Sequence, residues 1–373
     1  MELQIGTDEF SRALYRAQGI VEKKSTMPIL GSVLLEAQEG DKLRVSAFDL
    51  EIGVQTSHPA EVRKAGSVAL KHKELYDIVR ALPEKNLVLK REANNRVKLT
   101  CGAAEFNIVG QPAEDYPPFP RAENVPMVKI DPAALSEMIE KTQFAISADE
   151  TRHNLNGVYF ESGENNIIRM VATDGHRLSM VQRTLAEPFA LKKGVIVPRK
   201  GLLELRRLLD EEGDEASLGF TETSGVFRRG QVTMVMRLID GVFPDYQQVI
   251  PKEAERVVQV DRPRLLETLK RMSLLSSDRS TNAVRLELSP GVLKVSSQNP
   301  DLGDAKEEIP ISYEGPTLAI GFNARYIMDV LQVVETAQVN LELADELSPG
   351  VLKPASDAGE GARYTAVIMP MRI

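Results

Sequence analysis

Met170-Val171-Ala172-Thr173-Asp174 is one of three similar stretches in this sequence. The others are Val45-Ser46-Ala47-Phe48-Asp49 and Val295-Ser296-Ser297-Gln298-Asn299. Each is a short run typical of a β-strand, and each ends on an Asp or Asn. The three final residues stand 125 positions apart, at 49, 174 and 299. This constant spacing indicates that the chain contains three copies of one repeat.

Predicted helices keep nearly the same spacing. A first amphipathic helix is predicted in each copy around Phe10, Leu135 and Leu265. A second is predicted around Leu75, Leu202 and Ile327. Asp131 and Asp261 precede two of the first helices and suit the N-cap position, where a carboxylate accepts a free backbone N–H. A chance origin of so many equally spaced landmarks is a poor explanation, so we interpret the chain as a triplication.

The length of the repeat predicts whole domains. A period of about 125 residues is far longer than the roughly 20–50 residues of a solenoid repeat, so each copy can own a hydrophobic core. Proline-rich segments end the first two copies. We therefore expect three domains, at 1–125, 126–251 and 252–373. Short alternating strands outnumber the two helices of each copy, which predicts an α+β fold with helices packed on antiparallel sheets.

Composition narrows the class of protein. The 373 residues include 46 Lys and Arg against 54 Asp and Glu, for a net charge of −8, and a single cysteine, Cys101. One cysteine excludes an internal disulfide framework and a cysteine-based zinc site. No stretch reaches the roughly 18 apolar residues of a membrane span, and the N-terminal residues lack the pattern of a signal peptide. We expect a cytoplasmic protein without membrane contact, and the acidity argues against a conventional groove-binding DNA protein.

Basic residues are nevertheless segregated on the predicted helices. On a helical wheel that starts at Phe10, Leu14, Ala17 and Val21 form an apolar stripe, and basic side chains lie on the opposite face. The other helices carry basic residues opposite or beside their stripes in the same way. The set is Arg12, Arg16, Lys23, Lys73, Arg80, Lys200, Arg207, Arg264, Lys270, Arg271 and Arg325. Ordinary solvent-exposed charge on amphipathic helices remains an alternative interpretation.

Motifs for catalysis are scarce. The sequence contains no phosphate-binding loop, no dinucleotide-binding fingerprint and no metalloprotease or hydrolase motif. Its four histidines show no metal-ligand spacing, so we expect neither a metal nor a cofactor. The Asp174-Gly175-His176-Arg177 segment could be an acid–base cluster, but a turn between two strands explains Asp-Gly equally well. An enzyme with a site at Asp174 and His176 therefore stays open.

The last ten residues are unusually apolar. Tyr364 to Ile368 are predicted to form a final strand, and Met369-Pro370-Met371-Arg372-Ile373 follow it. Chain ends are usually polar and frayed, so this composition suggests docking or a binding surface. Methionine suits a surface that must accept varied apolar side chains. A strand that only completes the core of the third copy is the alternative.

Several motifs in one order resemble the bacterial sliding-clamp family, the beta subunits of DNA polymerase III. They are Asp174-Gly175-His176-Arg177-Leu178, Val197-Pro198-Arg199-Lys200-Gly201, Phe243-Pro244-Asp245-Tyr246 and Met369-Pro370-Met371-Arg372. The resemblance covers all 373 residues. It implies a head-to-tail homodimeric ring of six domains around double-stranded DNA, with the basic helical faces on the inner wall. Such a ring is a non-catalytic processivity factor that binds DNA without sequence recognition, during replication and in association with the nucleoid.

The resemblance also implies a pocket between the second and third domains. It would bind short linear peptides with leucine and phenylalanine anchors from the replicative polymerase, the clamp loader, translesion polymerases and repair proteins. The matching positions are Arg152, Leu155, Thr173, Gly175, His176, Arg177, Leu178, Pro244, Val249, Asn323, Tyr326, Val367, Met369, Pro370, Met371 and Arg372. An apolar floor with a few polar groups is the usual composition of such a pocket.

Finally, the resemblance implies a dimer contact between an edge strand of the first domain and one of the third domain of a second copy. The matching apolar positions are Phe106 and Ile108 on one side, and Leu274 and Leu275 on the other. A contact between unlike surfaces closes a ring only if the rotation closes. A scaffold that binds peptides without encircling DNA remains a further alternative.

Overall fold

The computed structural model describes residues 1–21, 26–189, 191, 193–211, 213, 215–252, 254–275, 282–356 and 362–372. Six α-helices lie in this part of the chain: α1 Thr7–Ala17, α2 His72–Arg80, α3 Pro132–Gln143, α4 Arg199–Leu209, α5 Arg262–Ser273 and α6 Ala324–Val333. The first strands are β1 Glu2–Gly6, β2 Ser32–Gln38, β3 Lys42–Phe48, β4 Ile52–Pro59, β5 Glu61–Lys64, β6 Gly66–Lys71, β7 Asn86–Arg91, β8 Arg96–Cys101, β9 Ala104–Val109 and β10 Val128–Ile130. The next are β11 Gly157–Ser162, β12 Ile167–Thr173, β13 Arg177–Thr184, β14 Val195–Pro198, β15 Ala216–Phe220, β16 Ser224–Arg229 and β17 Val232–Arg237. The last are β18 Arg256–Asp261, β19 Ala283–Ser289, β20 Val292–Asn299, β21 Gly303–Pro310, β22 Leu318–Asn323, β23 Gln338–Leu343, β24 Gly350–Pro354 and β25 Arg363–Ile368.

The predicted pair of helices is present in every copy, and the strands pair antiparallel throughout the described residues. This confirms the α+β class. Asp261 caps α5 as expected, because its carboxylate accepts the backbone N–H of Arg264 at 2.8 Å. Asp131 accepts the N–H of Ala133 at 3.2 Å at the start of α3. One detail is wrong: α1 ends at Ala17, so the helix does not continue to Val21.

The chain divides into two compact units. The first comprises Met1–Ala133 and Lys200–Leu238, and the second comprises Ala134–Arg199 and Ile239–Ile373. Each unit therefore joins one outer copy of the repeat to part of the central copy. The division follows from strand pairing, since central strands complete a sheet begun by each outer copy.

Two sheets form the first unit. One has five strands in the order β5-β1-β7-β8-β9, and the other has eight in the order β10-β15-β16-β17-β4-β3-β2-β6. Helices α1 and α2 pack together in this unit and bury Phe10, Leu14, Leu75 and Val79. His72 of α2 is buried as well, and its Nε2 lies 2.8 Å from the carbonyl oxygen of Leu14.

Two sheets also form the second unit. Eight strands run in the order β14-β11-β12-β13-β25-β24-β23-β18, and four run in the order β21-β20-β19-β22. Helices α5 and α6 pack together and bury Leu265, Leu269, Ile327 and Leu331. The final strand β25 lies between β13 and β24, in the interior of its sheet. The apolar C-terminal strand is therefore part of the core, and its end leads directly to Met369.

Candidate functional site

The Asp174–Arg177 segment is a tight turn between β12 and β13. One carboxylate oxygen of Asp174 accepts the backbone N–H groups of His176 at 2.9 Å and Arg177 at 3.0 Å. Gly175 has φ +89°, a left-handed conformation that suits glycine. Thr173 adds a bond from its hydroxyl to the carbonyl oxygen of Arg177 at 2.7 Å. The Asp174 carboxylate thus holds the turn together, with its other oxygen 3.1 Å from Nε of Arg177, and the side chain of His176 is exposed.

Arg177 ties this turn to α6. Its guanidinium contacts Asp174 at 3.1 Å and Asp329 at 2.5 Å, and it donates to the carbonyl oxygen of Phe144 at 2.7 Å. The same group lies 4.5 Å from the ring centre of Tyr326, a cation–π contact. Burial raises the pKa of Tyr326. The arginine is therefore a fixed part of the structure, with its charge neutralised by two carboxylates.

The C-terminal segment docks beside the turn. In the β13–β25 pairing, Leu178 lies opposite Val367. Beyond the strand, the backbone N–H of Met369 donates to the carbonyl oxygen of His176 at 2.9 Å. Met371 then forms an isolated bridge with Gly321, donating at 2.8 Å. The predicted docking of the apolar tail is present as far as Arg372, and Ile373 lies outside the described residues.

An apolar cluster lies under this segment. Its buried members are Leu155, Val171, Leu178, Ile196, Phe243, Tyr246, Val351 and Val367. Tyr246 also lies 2.5 Å from a Glu161 carboxylate oxygen, and burial together with this bond raises the pKa of Tyr246 to about 12. In contrast, Val249 and Met369 are 43% and 40% exposed. A buried apolar floor thus continues into exposed apolar side chains, which is an arrangement suited to a small apolar ligand.

Polar groups surround the floor. Arg152 donates from Nη1 to the carbonyl oxygen of Asp174 at 3.2 Å and lies 3.3 Å from Asp149. The imidazole of His176 stacks on Tyr326, with 6.5 Å between ring centres. Asn323 caps α6 by accepting the N–H of Arg325 at 2.9 Å. These groups can contact a peptide backbone without closing the surface.

All sixteen pocket positions from the sequence lie in the second unit. Direct contacts join several of them, through the pairs Arg152 and Gly175, Thr173 and Arg177, His176 and Tyr326, Arg177 and Tyr326, Leu178 and Val367, and His176 and Met369. Others are placed only through their chain neighbours: Pro244, Val249, Pro370 and Arg372. The sequence analysis missed Asp329 on α6 and Phe144 just after α3, since neither has a sequence signal that marks it as a site residue.

Six of the eleven basic residues predicted to face DNA form an ion pair within their own unit. Paired cations of the first unit contact carboxylates of the same unit: Arg12 with Glu9, Arg16 with Glu211, Lys200 with Asp49 and Arg207 with Glu204. In the second unit the pairs are Lys270 with Glu267 and Arg271 with Glu307. Arg80 lies over the ring of Tyr76, and Arg264 donates to the carbonyl oxygen of Glu308. Among the described residues, Lys73 and Arg325 are exposed without an ion pair, and Lys23 lies outside them.

The four candidate dimer residues have exposed or half-exposed side chains. Phe106 and Ile108 lie on β9, which is an edge strand of the five-stranded sheet, and Phe106 is exposed. Leu274 and Leu275 follow α5 directly, and Leu274 is 79% exposed. An edge strand with unpaired backbone groups and an exposed leucine are features that a partner chain could cover.

Within the described ranges, His, Cys, Asp and Glu form no group of three that could hold a metal ion. Among the helices described, none is long and apolar enough to cross a membrane.

Comparison with known proteins decides the family. Sequence models of the N-terminal, central and C-terminal domains of the DNA polymerase III beta subunit match residues 1–120, 129–245 and 247–372. The beta sliding clamp of Caulobacter vibrioides is 35% identical over the full length of both chains. The chain belongs to the family of bacterial sliding clamps. It therefore consists of three tandem clamp domains, and its role is that of a non-catalytic replication processivity factor.

Solved sliding clamps share the fold along the whole chain. The Pseudomonas aeruginosa clamp bound to griselimycin aligns with a TM-score of 0.93 and 33% identity, and covers 100% of both chains. The Bacillus subtilis clamp aligns with a TM-score of 0.95 and 28% identity. This alignment covers 100% of this chain and 99% of the Bacillus subtilis chain.

Proposed function

We propose that this clamp carries its partners through a peptide pocket on the second unit, formed by the sixteen residues around the Asp174 turn and the C-terminal segment. The observation that supports this most directly is the exposed Met369, which is held by its backbone to His176 above a buried apolar cluster. Peptides with leucine and phenylalanine anchors fit such a surface because their side chains find apolar contacts. The partners would be the replicative polymerase, the clamp loader, translesion polymerases and repair proteins.

In the same proposal, two chains form a head-to-tail ring around double-stranded DNA. Phe106 and Ile108 of one chain would pack against Leu274 and Leu275 of the other. The basic residues of the helices would face the DNA and attract its phosphates without reading sequence. We also propose domain boundaries at 1–125, 126–251 and 252–373, a division supported by the three family models that match residues 1–120, 129–245 and 247–372. We also propose that the protein acts in the cytoplasm, at the nucleoid during replication.

A topological experiment tests the ring. The protein is loaded by a clamp loader onto nicked circular DNA, and the circle is then cut at one site. A ring around DNA slides off the linear product, so the bound fraction should fall to background after cutting and stay high on uncut circles. Retention on linear DNA would contradict the ring, because a groove binder or a scaffold does not depend on topology.

A charge placed in the pocket tests the peptide site. Met369→Glu should weaken binding of a fluorescein-labelled peptide with leucine and phenylalanine anchors by at least about tenfold, because a carboxylate opposes apolar burial. Val257→Glu is the control, since Val257 is also an exposed apolar residue of the second unit but lies on the edge strand β18. Fluorescence anisotropy measures both. If the two variants bind the peptide with equal affinity, the peptide site does not lie at Met369.

A further inference from the structure

The first copy of the repeat contains the same turn as the pocket. Asp49 follows β3, and one of its carboxylate oxygens accepts the backbone N–H groups of Glu51 at 2.9 Å and Ile52 at 2.6 Å. These bonds match those that Asp174 makes 125 positions later. The Asp49 turn and the Asp174 turn therefore have the same local structure, although their sequences differ after the aspartate.

Strand pairing beside the two turns matches as well. In the pocket, β13 pairs with β25, and Met369 donates to the carbonyl oxygen of His176 at 2.9 Å. In the first unit, β4 pairs with β17, and Arg237 donates to the carbonyl oxygen of Glu51 at 2.8 Å. In each place, the residue that donates to the turn stands at the end of the neighbouring strand or directly after it.

The floors of the two places differ at one position. Leu178 of the pocket lies opposite Val367, whereas the corresponding pair in the first unit is Gly53 opposite Val235. The glycine leaves room above the strand, and the ring of Phe119 fills it. A Cβ atom on Gly53 would lie 2.7 Å from a ring carbon of Phe119.

Phe119 is held in this place by apolar contacts. Its ring centre lies 6.4 Å from that of Phe48, the last residue of β3, with the rings tilted by 58°. It also packs on a buried cluster that includes Val226 and Val235. In the sequence, Phe119 stands three residues after Tyr116, just as the exposed Val249 stands three residues after Tyr246. The linker after the first copy thus supplies an aromatic anchor where the second linker leaves the surface open.

We propose that the Asp49 turn is a second copy of the peptide site, closed by the chain's own Phe119. This inference rests on the proposed peptide site at the Asp174 turn. An anchor attached to the same chain has an effective concentration in the millimolar range, so it raises the apparent dissociation constant of a competing peptide by about the ratio of that concentration to the anchor's own dissociation constant. The clamp consequently offers one peptide site per chain although its repeat provides two.

Removal of the ring tests the inference. Phe119→Ala is titrated with the fluorescein-labelled pentapeptide Ser-Leu-Ser-Leu-Phe, and the number of bound peptides per chain is measured by anisotropy and by isothermal calorimetry. We expect one peptide per wild-type chain and two per variant chain. Phe119→Leu, which keeps an apolar anchor, should restore one. Phe220→Ala is the matched control, a half-buried phenylalanine of the same unit, and should also give one.

A second variant that opens the site provides an independent test in case Phe119→Ala does not fold. Gly53→Ala should expel the ring of Phe119 by direct contact and raise the number of peptides in the same way. Each variant is also combined with Met369→Glu, so that any remaining peptide binding reports the Asp49 turn alone. One peptide per chain in both folded opening variants overturns the inference. If wild type binds no peptide while the opening variants bind one, the Asp174 site fails and the inference about Phe119 stands.

Discussion

Arg177 and Asp329 form an ion pair of 2.5 Å although 152 positions separate them in the chain. The pair joins β13 of the central copy to α6 of the third copy, next to the pocket floor. Both side chains are largely shielded from water, so each charge depends on the other for solvation. The structure of the pocket therefore depends on the Arg177–Asp329 ion pair, which forms within the protein and does not require a bound peptide.

Arg177→Met should destabilise the second unit. It leaves Asp174 and Asp329 without their cation, which costs about 3–5 kcal/mol for a buried pair and about 2–4 kcal/mol here, where the carboxylates keep some access to water. Arg177→Lys should recover part of this loss, because it restores the charge but not the forked geometry. Urea denaturation followed by circular dichroism measures the change.

The control for this prediction is Arg285→Met. Arg285 is half exposed and lies 3.8 Å from Glu287, so its loss should cost less than about 0.5 kcal/mol. Equal stability of Arg177→Met and Arg285→Met would show that the Arg177 network contributes nothing to folding.

The spacing of Asp49, Asp174 and Asn299 predicted three copies of one strand end, and the structure shows the same kind of turn at each. Asn299 accepts the N–H groups of Asp301 at 2.9 Å and Leu302 at 3.2 Å, as the two aspartates do in their own turns. Such a turn needs a short acceptor side chain at a fixed place, so the sequence reveals it. The same holds for the helices, whose apolar stripes repeat with a regular period.

Partners of charged residues could not be predicted in this way. A helical wheel gives the direction of Arg16 but not what packs there, and Glu211 contacts it from 195 positions away. Lys200 likewise was expected to face solvent, yet it pairs with the buried Asp49. Long-range ion pairs depend on tertiary packing, and a carboxylate that forms one looks the same in sequence as a carboxylate in water.

Leu50→Gly should stabilise the first unit. Leu50 occupies the left-handed region with φ +78° and is 47% exposed, so its Cβ costs free energy while its side chain gains little from burial. Relief of this strain is worth about 1–2 kcal/mol, and the extra freedom of glycine in the unfolded chain returns part of it, for a net gain of about 0.5–1 kcal/mol. Thermal unfolding measures the gain.

Leu50→Ala separates strain from exposure. Alanine keeps the Cβ and removes the exposed leucine side chain, so this variant should not gain stability. If Leu50→Ala and Leu50→Gly are stabilised equally, the cause is the lost leucine side chain and the strain argument fails.

The ionisation of Glu137 makes the stability of the second unit depend on pH. Burial alone would raise its pKa, but the neighbouring Lys141 and Arg183 outweigh this effect and hold the pKa below its ordinary value of 4.5. The folded state therefore binds a proton less readily than the unfolded state. The resulting stabilisation is complete above pH 4.5 and is lost as the pH falls through the lower folded value.

Glu137→Gln should lower the unfolding midpoint at pH 7, and the difference from wild type should shrink as the pH falls from 5 toward 3. Thermal scans across this range measure the difference. Glu335→Gln removes an exposed carboxylate of the same unit and should shift the midpoint little at any pH. A difference between Glu137→Gln and wild type that stays constant with pH would contradict the assigned pairing.

Free and paired cations should differ in their effect on DNA binding. Lys73 and Arg325 are exposed without an ion pair among the described residues, whereas Arg16 is 14% exposed and holds Glu211 through two nitrogens at 2.9 and 2.6 Å. Each phosphate contact adds about 0.9 to the slope of log affinity against log salt concentration. Lys73→Gln together with Arg325→Gln should therefore reduce the slope by as much as about 2 if both side chains touch phosphate.

Arg16→Gln should change that slope less than the double variant does and should lower the free energy of unfolding, because it leaves Glu211 without its cation at a partly buried position. The slope is measured by anisotropy of a labelled duplex between 50 and 200 mM NaCl, and stability by urea denaturation. A slope that falls with Arg16→Gln but not with the double variant would mean that Arg16 exchanges Glu211 for a phosphate when DNA binds. In that case the ion pairs of the helices would be reserves of positive charge released by DNA, and not fixed parts of the fold.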